Sequence, residues 1–241
     1  MLDLLCFDLD GTLADTEPLK AQSYGWAAHR LRPEVGAADV AAAYPPYVGR
    51  SREEIARGLL ATFGLGDAAR AHDGAVEPWE SFVGLRLQRY RAMLADGDLV
   101  RRHALGEAVG LARRGRTLAR RVALVTTSDR RNADAVLAAL RLADAFDVVV
   151  ASDDVSRTKP DAEPYRLAAS RAGADAGASL AVEDSPAGIR GALAAGVAVL
   201  AVPTADTRAA VQAMVASGEL AASALVPPAE LGARVAAMAS P

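Results

Sequence analysis

Lysine is almost missing from this sequence. Lys20 and Lys159 stand alone among 27 basic residues, and the other 25 are arginine. A coding bias towards arginine accounts for the count but not for where the two exceptions fall. The two side chains also differ in chemistry, since an ammonium is a compact point charge and a guanidinium a planar fork. Cysteine is scarcer still. A single one, Cys6, excludes a disulfide scaffold and any metal site built from several cysteines. Aromatic residues make up only 5%. Positive charge is not in surplus: 27 basic residues face 30 acidic ones, a net charge of −3, which points away from nucleic acid. No apolar run approaches the roughly 18 residues needed to span a bilayer. The first ten residues contain Asp3, Asp8 and Asp10 and no basic stretch, unlike a signal peptide. These absences predict a cytoplasmic protein, without a membrane or nucleic-acid partner, as a monomer or small homo-oligomer.

What is present is a large apolar fraction, 51% of 241 residues, enough for a proper core. The 56 alanines favour helix. Short apolar runs read as buried strands at Leu2–Leu9, Val122–Val125, Phe146–Ala151, Leu180–Val182 and Val197–Val202. Between them Asn132–Leu142, Ala162–Ala172 and Pro186–Ala195 read as helices. Strands alternating with helices imply βαβ units and a parallel sheet, whose strand C-terminal ends share one edge. Residues from about Thr16 to about Leu99 break this rhythm. They hold helical runs at Leu19–Arg30, Arg52–Phe63 and Glu80–Leu94, divided by clusters such as Tyr44-Pro45-Pro46 and Gly64–Gly66. The expected fold is therefore α/β, a doubly wound parallel sheet spanning 1–15 and 100–241, with an all-helical domain inserted over 16–99. Ala224–Val226 reads as one further weak strand.

Four places on that common edge carry chemistry. The first strand ends in Asp8-Leu9-Asp10-Gly11-Thr12. Carboxylates at i and i+2 of an extended strand point the same way. Such a pair can bind a hard cation, act as nucleophile, or serve as acid and base. The next strand ends in Thr126-Thr127-Ser128, hydroxyls suited to phosphate oxygens, although Ser128 or Asp129 equally suits a helix cap. Lys159-Pro160 follows the third strand, and the fourth ends in Glu183-Asp184-Ser185-Pro186, with Ser185 a natural N-cap and Pro186 at the first helical position.

The set and its order resemble the haloacid-dehalogenase-like (HAD) superfamily, and Asp8 to Glu17, the helical insert, Lys159-Pro160-Asp161 and Glu183-Asp184-Ser185 are similar to its β-phosphoglucomutase-like subgroup. The resemblance runs from Leu2 to about Pro203. It implies a Rossmann-type core with a helical cap. It implies that Asp8 is a nucleophile forming an aspartyl-phosphate, and that Asp10 is the acid and then the base. Thr126 and Lys159 would hold the phosphoryl oxygens, with Thr127 beside them. Mg²⁺ would lie among Asp8, the Asp10 carbonyl, Asp184 and, through water, Glu183. Val48 to Glu54 is similar to the family's specificity loop and makes Arg52 a substrate-binding candidate, although Ser51 and Glu54 also spell a capping box. Lys20 stands where mutases of the subgroup carry histidine and is, with Thr127, a further substrate-binding candidate. Arg130 is a further substrate candidate.

The expected activity is that of a Mg²⁺-dependent phosphatase acting on a small phosphorylated metabolite, a sugar phosphate by preference. The alternative is a sugar phosphomutase of the same covalent chemistry. A metal-independent dehalogenase would leave Asp10 idle, and a non-catalytic phospho-accepting module would need neither Asp10 nor the insert. His29, His72 and His103 fall outside every motif. Trp26 and Trp79 are expected to pack the helices of the insert, and the arginines from Arg113 to Arg121 to lie in a solvated turn and a short extra loop before the second strand.

Overall fold

The computed structural model describes residues 1–75 and 77–240. They form two compact units, one built from Met1–Asp15 and the chain from Gly97 onward, the other from Thr16–Asp96. The chain leaves the first unit between Asp15 and Thr16 and returns between Asp96 and Gly97, a few residues before the return expected near 100.

The first unit is a parallel sheet of β1 (Leu2–Phe7), β2 (Ala119–Val125), β3 (Val148–Val150), β4 (Ser179–Glu183) and β5 (Ala198–Ala201), in the order β3-β2-β1-β4-β5. Helices flank it in a Rossmann-like arrangement. Apart from Asp3 near its start, β1 is apolar on both sides, because a parallel sheet covered by helices buries both sides of its strands. Leu4 and Cys6 join Ala123, Val125, Val150 and Ala181 in one core cluster, completed by Tyr165, Ile189 and Met214. Leu5 and Phe7, on the alternate positions, are also buried, and Phe7 meets Phe146 edge-on at 6.1 Å. Phe7 is level with Leu124 and with Val182, and Val125 with Val150, so the strands end together. Sequential neighbours run outward from β1 on one side and from β4 on the other. Ligands of open α/β sheets bind at the carboxyl edge of such a reversal.

The strands sit where the apolar runs placed them, with shifted ends. β1 stops at Phe7, because Leu13 and Ala14 donate their N–H groups back to the Leu9 carbonyl and close a turn. The weak strand expected at Ala224–Val226 is absent. Ala222–Ala224 is a turn of 3₁₀ helix, and Leu225 makes a single bridge to Ala201. Pro227 and Pro228 follow at once and have no N–H to extend a ladder. The extra loop expected at Arg116–Arg121 is likewise absent. Gly115–Thr117 is a 3₁₀ turn, and Arg120 and Arg121 already lie in β2. Nor is this arginine cluster simply solvated. Arg116 donates to the Asp144 carbonyl at 2.9 Å and to Asp147 at 3.2 Å, and Arg113 donates to the Leu140 carbonyl at 3.0 Å.

The second unit contains α1 (Glu17–Leu31), α2 (Ala37–Ala42), α3 (Arg52–Phe63), α4 (Gly66–Asp73) and α5 (Pro78–Leu94). Its core forms around Tyr24, which lies 5.7 Å from the Tyr44 ring and 5.5 Å from Phe82. Trp26 and Trp79 pack against that core. Ser51 and Glu54 make the reciprocal capping box that starts α3. The short helices α2 and α4 were not legible as periodic runs. Beyond this unit come α6 (Gly97–Arg102), α7 (Gly106–Arg113), α8 (Arg130–Leu140), α9 (Glu163–Ala172), α10 (Pro186–Ala194), α11 (Arg208–Ala216) and α12 (Leu231–Ala239). No helix among the described residues is long and apolar enough to cross a membrane.

Candidate active site

Asp8 is the first residue past β1, and its N–H donates to the Val182 carbonyl of β4 at 3.1 Å. Thr126 follows β2 and donates in the same way to Val150 at 2.9 Å. Glu183 ends β4 and Asp184 follows it. The ladder thus gathers the sequence motifs at one edge, and Lys159, from the loop before α9, completes them.

Lys159 ties the cluster together. Its ammonium donates to Asp8 Oδ1 at 2.7 Å, to the Val125 carbonyl at 2.7 Å and to Glu183 Oε1 at 2.5 Å. An ammonium has three donors, and all are used. Glu183 Oε1 also accepts from the Tyr165 hydroxyl at 2.5 Å, and the Tyr165 ring lies 5.3 Å from Lys159 Nζ. A Cβ on Gly188 would fall on the Glu183 carboxylate, so only glycine lets the first turn of α10 approach that closely. Ser185 caps that helix by accepting from the Gly188 N–H at 3.1 Å.

One oxygen of Asp8 is therefore held and the other is not. Asp8 Oδ2 is buried and has no hydrogen-bond partner among the described residues. Burial pushes the Asp8 carboxyl up to about 7, with Glu183 and Asp10 adding to the rise and Lys159 opposing it. Burial likewise holds Asp184 well above the usual carboxylate range, helped by the charges of Asp8 and Glu183. Burial alone would lower Lys159, but Asp8 and Glu183 more than reverse it, so the ammonium stays charged. Cys6 is in the core behind the site, where burial pushes its thiol up to about 12 and leaves it inert.

Asp8, Glu183 and Asp184 each bring a carboxylate oxygen within 4.8 Å of the others. Three buried carboxylates share the site with one ammonium, and one carboxylate oxygen is orphaned. This donor set suits a hard divalent cation bound through oxygen. Gly11, at φ +92°, allows the turn after β1 to press against Asp184, where any Cβ would meet the carboxylate.

Asp10 stands beside this cluster. Its Oδ2 accepts from the Ser128 hydroxyl at 2.7 Å. Asp129 takes the capping role on α8, accepting from the Asn132 N–H at 2.9 Å, which releases Ser128 for Asp10. Thr126 Oγ1 is buried and accepts from the Ser128 N–H at 3.0 Å, whereas Thr127 is exposed. Arg130 is occupied at the sheet edge, donating to the Val149 carbonyl at 3.1 Å and lying 3.4 Å from Asp154. His29 and His72 are exposed and belong to the helical unit.

Lys20 and Arg52 also belong to the helical unit. Lys20 Nζ lies 2.7 Å from Glu17 Oε1, and the other Glu17 oxygen accepts from the Tyr44 hydroxyl at 2.6 Å. Arg52 is the first residue of α3. Burial raises the Tyr24 phenol, and the charges of Arg86, Arg52 and Lys20 oppose it, so both candidates lie within electrostatic reach of that ring.

Three contacts of this site were not expected from the sequence: Ser128, read there as a phosphate hydroxyl or a cap, on Asp10, Tyr165 on Glu183, and Thr207 on Asp184. The signal for Ser128 was the run of three hydroxyls at a strand end. For Tyr165 it was a tyrosine on the apolar face of the helix after Lys159. Thr207 gave none.

The chain is similar to proteins already known. Residues 2–196 match the family model for haloacid dehalogenase-like hydrolases. Protein CbbY of Rhodobacter capsulatus is 32% identical over 216 residues, covering 86% of this chain and 88% of the relative. Phosphoglycolate phosphatase of Rhodospirillum rubrum is 32% identical over 200 residues, 80% of this chain and 76% of the relative. The solved structure of a Thermotoga maritima protein assigned as a β-phosphoglucomutase superposes with a TM-score of 0.69 at 25% identity, over 97% of this chain and 98% of that one.

Proposed function

The chain belongs to the haloacid dehalogenase-like hydrolase family, and we propose that within it this protein is a phosphatase that hydrolyses a small phosphate monoester through a covalent aspartyl-phosphate on Asp8. The observation that carries the proposal is the divided carboxylate of Asp8: Lys159 holds Oδ1, and Oδ2 is buried, unpartnered and available as a nucleophile. The naming of the Rhodospirillum relative as a phosphatase supports the reaction class.

In the first step Asp8 Oδ2 attacks phosphorus, the bond to the ester oxygen breaks, and Asp10 gives that oxygen its proton. In the second, Asp10 takes a proton from water, the water oxygen attacks the same phosphorus, and the Asp8–phosphorus bond breaks to return the carboxylate and inorganic phosphate. Ser128 orients Asp10 for both transfers. When substrate enters, Lys159 would exchange one of its three bonds for a phosphoryl oxygen and Thr126 would hold another, while Glu183 with Tyr165 keeps the Lys159 ammonium in place. Asp8, Asp184 and the Asp10 carbonyl would hold Mg²⁺, with Glu183 close by. When bound, Mg²⁺ offsets the repulsion between an anionic nucleophile and an anionic phosphate. Substrate choice is assigned to the helical unit, with Arg52 and Lys20 as its cationic candidates.

The rival reading is a sugar phosphomutase, and the likeness to the Thermotoga protein favours it. The two readings share the first step and differ in whether water or a second sugar hydroxyl accepts the phosphoryl group. A phosphate-release screen over phosphorylated metabolites tests the proposal, run beside β-glucose 1-phosphate with a bisphosphate primer. Mg²⁺-dependent release that is absent from Asp8→Asn supports the phosphatase. Isomer formation without release would put the mutase first.

A further inference from the structure

We infer that Thr207 is a positioning residue of the cation site, acting through Asp184; the inference rests on the reading of Asp184 as a cation ligand. Thr207 lies outside all four motifs, on the loop between β5 and α11. It is the residue immediately before α11. A threonine there ordinarily turns its oxygen onto the N–H groups of the first helical turn. Thr207 makes no such bond. Its hydroxyl accepts from the Thr204 N–H at 3.1 Å and donates to Asp184 Oδ2 at 3.2 Å.

The direction of that last bond follows from what a hydroxyl can do. It has one proton and two lone pairs. The Thr204 N–H occupies a lone pair. Thr204 Oγ1, 3.3 Å away, carries a proton of its own and can donate it to the second lone pair. The Thr207 proton is then directed to the carboxylate, the charged acceptor in reach. The contact is sheltered, with Thr207 7% exposed and Asp184 4%.

The end of β4 fixes the Asp184 backbone, but the terminal torsion of an aspartate is broad and does not fix its oxygens. Two neighbours restrict it. Gly11 brings its backbone against the carboxylate, and Thr207 holds Oδ2. Among the described residues Oδ1 makes no hydrogen bond, so it stays open to a cation. Groups that orient a ligand in this way typically alter metal affinity by about 10–100-fold when removed.

A purely structural Thr207, tying the β5–α11 loop to β4, would change the stability of the metal-free protein and leave cation affinity alone. Thermal unfolding of the full chain across a Mg²⁺ titration separates the two roles. Thr207→Val keeps the shape and removes the donor, while Thr207→Ser keeps the donor. We expect the Mg²⁺ midpoint of Thr207→Val to rise about 10-fold, that of Thr207→Ser to stay near the parent, and the activity lost by Thr207→Val to return as Mg²⁺ is raised. A parental midpoint in Thr207→Val, or a Thr207→Ser midpoint as weak as that of Thr207→Val, would overturn the inference. Asp184→Asn is the reference. If it loses Mg²⁺-dependent stabilisation while Thr207→Val does not, Thr207 alone fails. If Asp184→Asn keeps that stabilisation, the cation reading fails and the inference with it.

Discussion

Lys159 Nζ lies 2.7 Å from Asp8 Oδ1, and this one contact makes the two oxygens of the Asp8 carboxylate unlike each other. The held oxygen orients the group, and the bare one is the atom proposed as nucleophile. The same ammonium is shared with Glu183, so it is the counter-charge of two buried carboxylates, and the proposed mechanism also makes it a ligand of the phosphoryl oxygens.

Replacing Lys159 should therefore damage two properties that can be measured separately. Lys159→Met leaves Asp8 and Glu183 buried without their cation, and breaking such a buried pair costs about 3–5 kcal/mol. A melt should show that loss. Lys159→Arg keeps the charge but brings a planar fork to a place built for a compact ammonium. Its kcat should fall about 10²–10³-fold, the size expected when an oxyanion ligand is misplaced. Parental kcat in Lys159→Arg would mean that the ammonium is not a phosphoryl ligand.

The metal-free protein should lose stability as pH rises from about 4 to about 7. The folded Asp8 keeps its proton up to about 7, while an unfolded aspartate releases it near 4. Within that window the folded state binds more protons, so each rise in pH favours unfolding. Asp184 is raised as well and acts in the same direction. Asp147 and Asp154 are lowered, so their opposite contribution falls below this window. Denaturant titrations of chelator-treated protein at pH 5 and pH 7.5 should show the drop, and Asp8→Asn should flatten it. Because a cation competes with those protons, Mg²⁺-induced stabilisation should also be larger at the higher pH. A Mg²⁺ effect that shrinks with rising pH would count against the carboxylate site.

Asp10 and Ser128 should separate by leaving group. Asp10→Asn removes the general acid, worth about 10²–10⁴-fold for an alkyl phosphate. An aryl phosphate with an acidic phenol needs little protonation. Rapid-mixing experiments on Asp10→Asn should thus keep an initial burst of phenol and lose the steady turnover that follows. Ser128→Ala, which only frees the orientation of Asp10, should show the same pattern in weaker form. Equal losses for both substrates in both phases would remove the acid–base assignment.

Arg52→Ala should raise KM more for sugar phosphates than for a small aryl phosphate, if the start of α3 recognises the non-reacting part of the substrate. Steady-state kinetics on the two substrates give the comparison directly. Matching increases would take Arg52 out of substrate selection.

Much of the site was legible because its residues are neighbours along a strand end. Asp8 and Asp10 declare themselves by i, i+2 spacing, and Glu183-Asp184-Ser185-Pro186 by a strand running straight into a capped helix. The contacts that orient them were not legible, because they join distant segments. Tyr165 of α9 reaches Glu183 of β4, and Thr207 reaches Asp184 from the loop after β5. Ser128 and Asp129 were indistinguishable as caps in sequence; only the geometry shows Asp129 taking the helix and Ser128 taking Asp10. In the helical unit, Gly64–Gly66 read as a separator, yet Gly66 opens α4. A helix of that length presents too few turns for its period to stand out. The lysine scarcity singled out Lys159 without saying where it would lie, and the structure places it among the carboxylates of Asp8 and Glu183. It did not foresee that Lys20 would be paired with Glu17.

The central claim is that Asp8 carries the phosphoryl group. The most direct test quenches the enzyme during turnover of a sugar phosphate, reduces it with borohydride and maps residues 1–15 by mass spectrometry. An acyl phosphate on Asp8 would be reduced and leave homoserine at position 8, dependent on substrate and on Mg²⁺. An unmodified Asp8 during turnover, with the adduct on another residue or on none, would contradict the account.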